Sequence, residues 1–407
     1  MIDLSPVVVS GLGTVSAAGC GRRAAADALR DSRTCWTAVD RSAGYHRRGG
    51  SRLAGLTAGL DLSPWLAPAA ARRMSGPSRL AVAAAKMALE DAGLAPGAGD
   101  VATAVVVSNA HGPTSILEKI LVQDFREGPL AVSPALFTES VANAPAAQVA
   151  IACGALGPNL TVIQREAGAL IAVVQAAAEI AGGRVDRALA IAVDEMTPLL
   201  HAVLDRFNAL ATAGGDGEET ARPFDRRRTG AVAAEGATAL VLEREAAVAE
   251  RGGRVLARLR AGTSAFDPSS PRSGWSRDPG PLAAACRRFL DKAGSSPREI
   301  DAVVSSAAGT FGGDRLEARV LRALWDDGEL PPVLVPKAVL GDHGGALPAG
   351  LVLAVDGVAF GPTPGFAEID PELGVVPHDG RPLAPPARVL ATALAAGGAA
   401  AWLIVEG

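Results

Sequence analysis

Arg222-Pro223-Phe224-Asp225, then Arg228 and Gly230, then Glu235-Gly236-Ala237 and Leu240-Val241-Leu242-Glu243 make up the stretch on which the reading of this chain turns. A polar, exposed loop, Gly214-Gly215-Asp216-Gly217-Glu218-Glu219, precedes it. A charged helix around Glu243–Arg251 follows, closed by Arg251-Gly252-Gly253, and a new strand begins over Arg254–Leu259.

Outward from this block one theme recurs in both directions. Val7-Val8-Val9-Ser10-Gly11-Leu12-Gly13 is a short apolar run closed by glycines, expected as a buried strand entering a tight turn. Pro77 to Gly93 is helical: Leu80, Ala84, Met87, Ala88 and Ala92 share one face and Gly93 supplies the stop. Ala104–Val107 is a second buried strand, Ala167–Ile180 a helix of small residues ending at Gly182-Gly183, and Arg187–Val193 another strand. Beyond the block, Ala265–Gly280 is rich in Ser, Pro and Gly and is expected as a surface loop. Helix Leu282–Ala293 and strand Ala302–Ser306 follow, then helix, strand, helix and strand to the end. Short buried strands alternating with helices predict a layered α/β fold. The recurrence in two halves predicts a duplication joined near residues 252–256, giving halves 1–252 and 253–407.

The totals exclude more than they select. Among 407 residues, 39 Lys and Arg against 43 Asp and Glu leave a net charge of −4, which argues against a nucleic-acid footprint. Cys20, Cys35, Cys153 and Cys286 are scattered without Cys-x-x-Cys or Cys/His spacing, as in a reducing compartment without a disulfide framework or structural zinc. His46, His111, His201 and His378 likewise have no spacing that suggests a metal site, and no cofactor is expected. The start, Met-Ile-Asp running into Val7-Val8-Val9, lacks the parts of a signal peptide. The uncharged run Val389–Val405 is broken by Gly397-Gly398, so it reads as a buried strand–turn–strand and not as a membrane span. A soluble, cytoplasmic protein is expected.

Several separated stretches resemble the ketosynthase family of fatty-acid and polyketide assembly. They are the opening Val9–Gly13, the helix Arg79–Gly93, Ser133–Phe137 with Ser140–Pro145, Gly157-Pro158-Asn159 and, most specifically, the Pro-Phe-Asp, Arg, Gly, Glu-Gly-Ala block. Asp301–Val304, Gly309-Thr310, Asp314 and Glu317-Ala318 resemble the family's first catalytic-histidine loop and helix, and Lys337 with Gly341 its lysine and second-histidine loop. The resemblance runs along essentially the whole chain and implies the thiolase-like fold, α-β-α-β-α in layers built from two duplicated halves.

The same resemblance implies that the chemistry is gone. A ketosynthase carries its acyl chain on a thiolate at a helix start, and two histidines assist decarboxylation and stabilise the enolate. Against the family's Thr-Val-x-x-x-Cys-x-x-Gly-Leu stands Thr161-Val162-Ile163-Gln164-Arg165-Glu166-Ala167-Gly168-Ala169-Leu170, so Glu166 replaces the nucleophile. A carboxylate there is expected to suit the positive end of the helix. Arg165 can pair with it, although neighbours at a helix start often diverge. Ala308 stands at the first histidine position. In Lys337-Ala338-Val339-Leu340-Gly341-Asp342-His343, Asp342 fills the second and His343 lies one residue late. The family's gate phenylalanine is absent from Ala395-Ala396-Gly397-Gly398, and Cys153 reads as a small core or interface residue.

Such a chain resembles the chain-length factor, or ketosynthase beta subunit, of type II polyketide or aryl-polyene-like systems. That implies an active ketosynthase as heterodimer partner and an acyl carrier protein as visitor. Glutamate at position 166 departs from the glutamine common in those subunits. Two other readings stay open: an enzyme of altered chemistry (cyclase, hydrolase or acyltransferase) using Glu166, Asp342 and His343, and a scaffold that docks carrier protein.

Overall fold

The computed structural model describes residues 1–95, 102–213, 217–326 and 328–407. Five strands of the first half are β1 (Ile2–Ser16), β2 (Thr103–Ser108), β3 (Asn159–Val162), β4 (Arg187–Asp194) and β5 (Gly236–Arg244). Five of the second are β6 (Ala257–Phe266), β7 (Ala302–Ser305), β8 (Val333–Leu334), β9 (Arg388–Leu394) and β10 (Ala399–Glu406). They hydrogen-bond in the order β8-β7-β9-β10-β6-β1-β5-β4-β2-β3. Numbered within its own half, each set reads third, second, fourth, fifth, first from its outer edge inward. The duplication is therefore a property of the strand pairing, and the halves join where β1 lies antiparallel to β6.

Strand alternation explains the layers. On β2 and β4, Ala104, Val106, Ala188 and Ala190 face inward, packed on α4 (Gly168–Ala181) and α7 (Ala346–Val355) together with strands of the second half. Their neighbours Val105, Val107, Leu189 and Ile191 face outward onto α1 (Gly76–Asp91) and α3 (Ala144–Cys153). In the second half Val303, Leu390, Trp402 and Ile404 face α5 (Gly280–Lys292) and α6 (Phe311–Leu324). Helices, sheet, helices, sheet, helices is the α-β-α-β-α stack. Strands covered on both faces read as unbroken apolar runs.

Several boundaries shift from expectation. Gly11 and Gly13 sit inside β1 and not in a turn, because α1 crosses there so closely that any Cβ would collide with the backbone oxygens of Ala88 and Ala84. The strand expected from Arg254 begins at Ala257, Arg254 being drawn aside to Asp356. Glu243 and Arg244 belong to β5, and the charged helix is Glu245–Glu250. Of the loop expected at Gly214–Glu219, residues 214–216 lie outside the described residues. Glu219 is no idle loop carboxylate: its Oε1 accepts from the Ser51 hydroxyl and the Arg52 and Leu53 amides. Val389–Val405 is the hairpin β9–β10. Among the described residues no helix is long and apolar enough to cross a membrane.

Candidate functional site

The site lies where α4 starts beneath the β9–β10 turn. After β3 the chain reverses at Arg165, whose φ of +45° is in the left-handed region that side chains seldom occupy. That turn aims Glu166 inward, on a 3₁₀ turn Arg165–Ala167 leading into α4. Glu166 Oε2 accepts the Ala396 amide at 3.2 Å, so Glu166 is tied to the turn that carries Gly397-Gly398. Among the described residues Arg165 forms no ion pair with Glu166, in keeping with neighbours that diverge.

Opposite stands a short helix, Lys337–Leu340, ended by Gly341 at φ +88°. Lys337 is 3% exposed and its Nζ lies 2.7 Å from Asp342 Oδ1. Burial pulls the lysine's pKa down, but Asp342 foremost, with Glu166 and Glu317, raises it above the ordinary value. Lys337 is thus a buried cation held by carboxylates.

The Pro-Phe-Asp block reaches the site through one carboxylate. Fully buried Asp314, at the start of α6, accepts the amides of Phe224 (2.8 Å), Ala308 (3.2 Å), Gly309 and Thr310. Asp225 in turn accepts the Ala367 and Glu368 amides, and Arg228 pairs with Asp370 at 2.6 Å. These contacts freeze the loop in which Ala308 stands. One turn on, Glu317 accepts from Ser305 Oγ (2.8 Å) and Ser306 Oγ (3.2 Å). Burial pushes Asp314 up to about 6 and Glu317 up to about 7.

Burial, and then the charge of Asp342, also raises Glu166, although its own amide, Lys337 and Ala396 act the other way. The expected benefit of the helix start is outweighed by loss of water. The pocket that Glu166 shares with Ala308, Asp314, Glu317, Lys337 and Asp342 has a volume of about 20 Å³. That is room for about one water and far below the few hundred Å³ of an ordinary ligand site.

His343 does not join this group. It is fully buried against Gly236 and Gly345, with Nδ1 accepting the Gly345 amide at 3.2 Å and Nε2 unpartnered. Burial and then the Lys337 charge depress it to about 4, so it is neutral near pH 7. Among the described residues no hydrogen bond links Glu166 with Asp342 or His343, and neither histidine nor cysteine lines the pocket. Asp342 lines the pocket and His343, one residue later, does not. Cys153 is buried at the end of α3 and burial pushes its thiol up to about 11, leaving it a packing residue.

Two features escaped the sequence. Trp275, inside the stretch expected to be a surface loop, is half-buried and lines the pocket. Only the presence of an aromatic residue in a Gly/Ser/Pro loop pointed to it. His46 Nε2 and His201 Nδ1 meet at 3.1 Å although 155 residues apart, a contact with no sequence signal. Among the described residues no group of His, Cys, Asp and Glu is arranged to hold a metal ion.

Residues 4–247 match the family model of the beta-ketoacyl synthase N-terminal domain and residues 257–356 that of the C-terminal domain. This chain belongs to the beta-ketoacyl synthase family. This chain is 30% identical over 382 residues to the granaticin polyketide putative beta-ketoacyl synthase 1 of Streptomyces violaceoruber, covering 90% of this chain and 89% of that one. It is 29% identical over 379 residues to the tetracenomycin polyketide synthase ketoacyl synthase beta subunit of Streptomyces glaucescens, covering 91% and 90%. The alpha subunit of the same tetracenomycin synthase matches at 30% over 391 residues. Similarity thus places this chain in the family without choosing between subunit types. Among solved structures, the ishigamide ketosynthase/chain length factor superposes with a TM-score of 0.88 at 26% identity, covering 98% of both chains.

Proposed function

We propose that this chain is a non-condensing ketosynthase-like subunit, a chain-length factor, that pairs with an active ketosynthase and helps to shape the tunnel for a polyketide or polyene acyl chain. The observation that carries the reading is the Glu166 pocket itself. At the position of the nucleophile it holds a carboxylate, it is lined by neither thiol nor imidazole, and it has room for about one water. A carboxylate cannot hold an acyl chain as a thioester, and nothing beside it can stabilise an enolate in the way paired imidazoles do.

A second observation supports the partner. Large apolar side chains lie exposed between residues 121 and 160: Leu121 and Phe125 on α2 (Thr114–Glu127), Phe137, Ile151 on α3, Leu156, and Leu160 on β3. Ile151 is 77% and Phe125 83% exposed, and β3 is the outer edge of the sheet, paired on one side only. An apolar patch beside an open edge strand is the surface a large subunit interface covers. An active ketosynthase of similar shape fits it as a pseudo-two-fold mate, and an acyl carrier protein delivers the chain to that mate's cysteine. The division into halves at residues 252/253 belongs to the same reading.

The altered-chemistry reading requires Glu166, Asp342 and His343 to converge. Asp342 is engaged by Lys337, and His343 faces β5, away from the pocket. The test of function is co-purification of the tagged chain with an active ketosynthase, followed by mass and stoichiometry. A one-to-one complex acylated only on the partner's cysteine is expected. A homodimer that ignores the ketosynthase overturns the reading.

A further inference from the structure

The Glu166 pocket is small, and among the side chains that line it is one large aromatic, Trp275. Trp275 stands on the loop between β6 and α5, half-buried, with its indole against Gly312 and Gly313 at the start of α6. The fit allows no side chain beneath it. A Cβ on Gly312 would collide with Trp275 Cδ1, and one on Gly313 would come within 2.9 Å of its ring. The loop is held at both ends of the β9–β10 turn: Gly397 N–H donates to Gly274 O at 2.8 Å and Asp267 N–H to Gly398 O at 2.8 Å. Ala396, next along that turn, donates to Glu166. Turn, tryptophan loop and Glu166 are therefore one hydrogen-bonded assembly, and the indole both lines the pocket and is partly exposed.

We propose that Trp275 is a plug that excludes an acyl-pantetheine arm from the Glu166 pocket, so that a carrier-borne chain finds no seat in this subunit. The physical logic is steric. The arm and its thioester need a channel, and the space they would occupy holds an indole packed on two glycines. A half-buried aromatic ring packed against two glycines cannot yield that volume without leaving its seat. The plug also replaces, from a different segment, the aromatic residue missing from Ala395-Ala396-Gly397-Gly398. The inference rests on the non-condensing reading only in naming the molecule excluded.

The test is the reactivity of a thiol placed in the pocket. Glu166→Cys in the full-length chain is treated with iodoacetamide and with bromoacetyl-pantetheine, and labelling at position 166 is followed by peptide mass. With Trp275 in place labelling is expected to be at least tenfold slower than in Glu166→Cys/Trp275→Ala, while Trp275→Phe retains most of the block. Cys286, fully buried, reports on folding: it stays unlabelled in every variant that keeps its structure. Gly312→Ala, which unseats the indole without deleting it, should raise the rate independently and decides the matter if the Trp275→Ala variant does not fold. Equal rates, within about twofold, with and without the indole seated overturn the plug. Co-purification with a ketosynthase tests the reading of function separately, since labelling needs no partner.

Discussion

Lys337 Nζ and Asp342 Oδ1 stand 2.7 Å apart in a wall where the lysine is 3% exposed, so each charge there depends on the other. Asp342→Ala leaves a cation in a nearly dry site, with the more weakly acting Glu166 and Glu317 still in reach of its field. Breaking a buried pair by removing one partner costs about 3 kcal/mol or more. Denaturant unfolding should show that loss for Asp342→Ala, and Lys337→Met/Asp342→Ala should recover a good part of it. Additive losses in the double variant would refute the coupling.

Glu166 is a packing and tethering carboxylate in this account, so Glu166→Gln keeps the hydrogen bond to Ala396 and removes a charge that burial disfavours. Turnover of the complex with the active ketosynthase should stay within about threefold. A fall of more than about 100-fold with the complex intact corresponds to about 2.7 kcal/mol and would make the carboxylate catalytic. Glu166→Cys, lacking imidazoles at positions 308 and 342, should not confer condensation.

Glu317 gives a pH signature of known sign. Its carboxyl is pushed up to about 7 in the fold from 4.5 in a free chain, so between those values the folded protein holds a proton that the unfolded chain has lost. Native stability therefore declines on this account as pH rises from about 4.5 to 7. Glu317→Gln removes that decline. Its stability relative to the parent should grow by about 3 kcal/mol over the window, from 1.36 kcal/mol for each pH unit. Unfolding midpoints at pH 5 and pH 8 check it, and an unchanged difference would mean that Glu317 titrates normally.

The partner face can be broken without touching the pocket. Ile151→Asp puts a charge among the exposed apolar side chains, at a helix position that is 77% exposed. Association with the ketosynthase should weaken at least tenfold, as for a central interface side chain, while the melting temperature of the isolated chain changes little. Association unchanged in sedimentation or calorimetry would place the interface elsewhere.

The primary sequence determined the layers and the duplication. Strands such as Ala104–Val107 are apolar at every position because helices cover both faces, and that pattern survives in one dimension. The proposal that Glu166 stands in place of a thiol likewise rests on the sequence, since it is a matter of residue type at a matched position. What only the tertiary structure decided is where side chains distant in sequence come to rest. His343 sits one residue from Asp342 yet faces β5, because the turn at Gly341 sends consecutive side chains to opposite sides. Trp275 looked like a loop residue because loop composition is set by the backbone turns around it. Its seat on Gly312-Gly313 depends on close packing between segments some forty positions apart, and no local pattern encodes that contact.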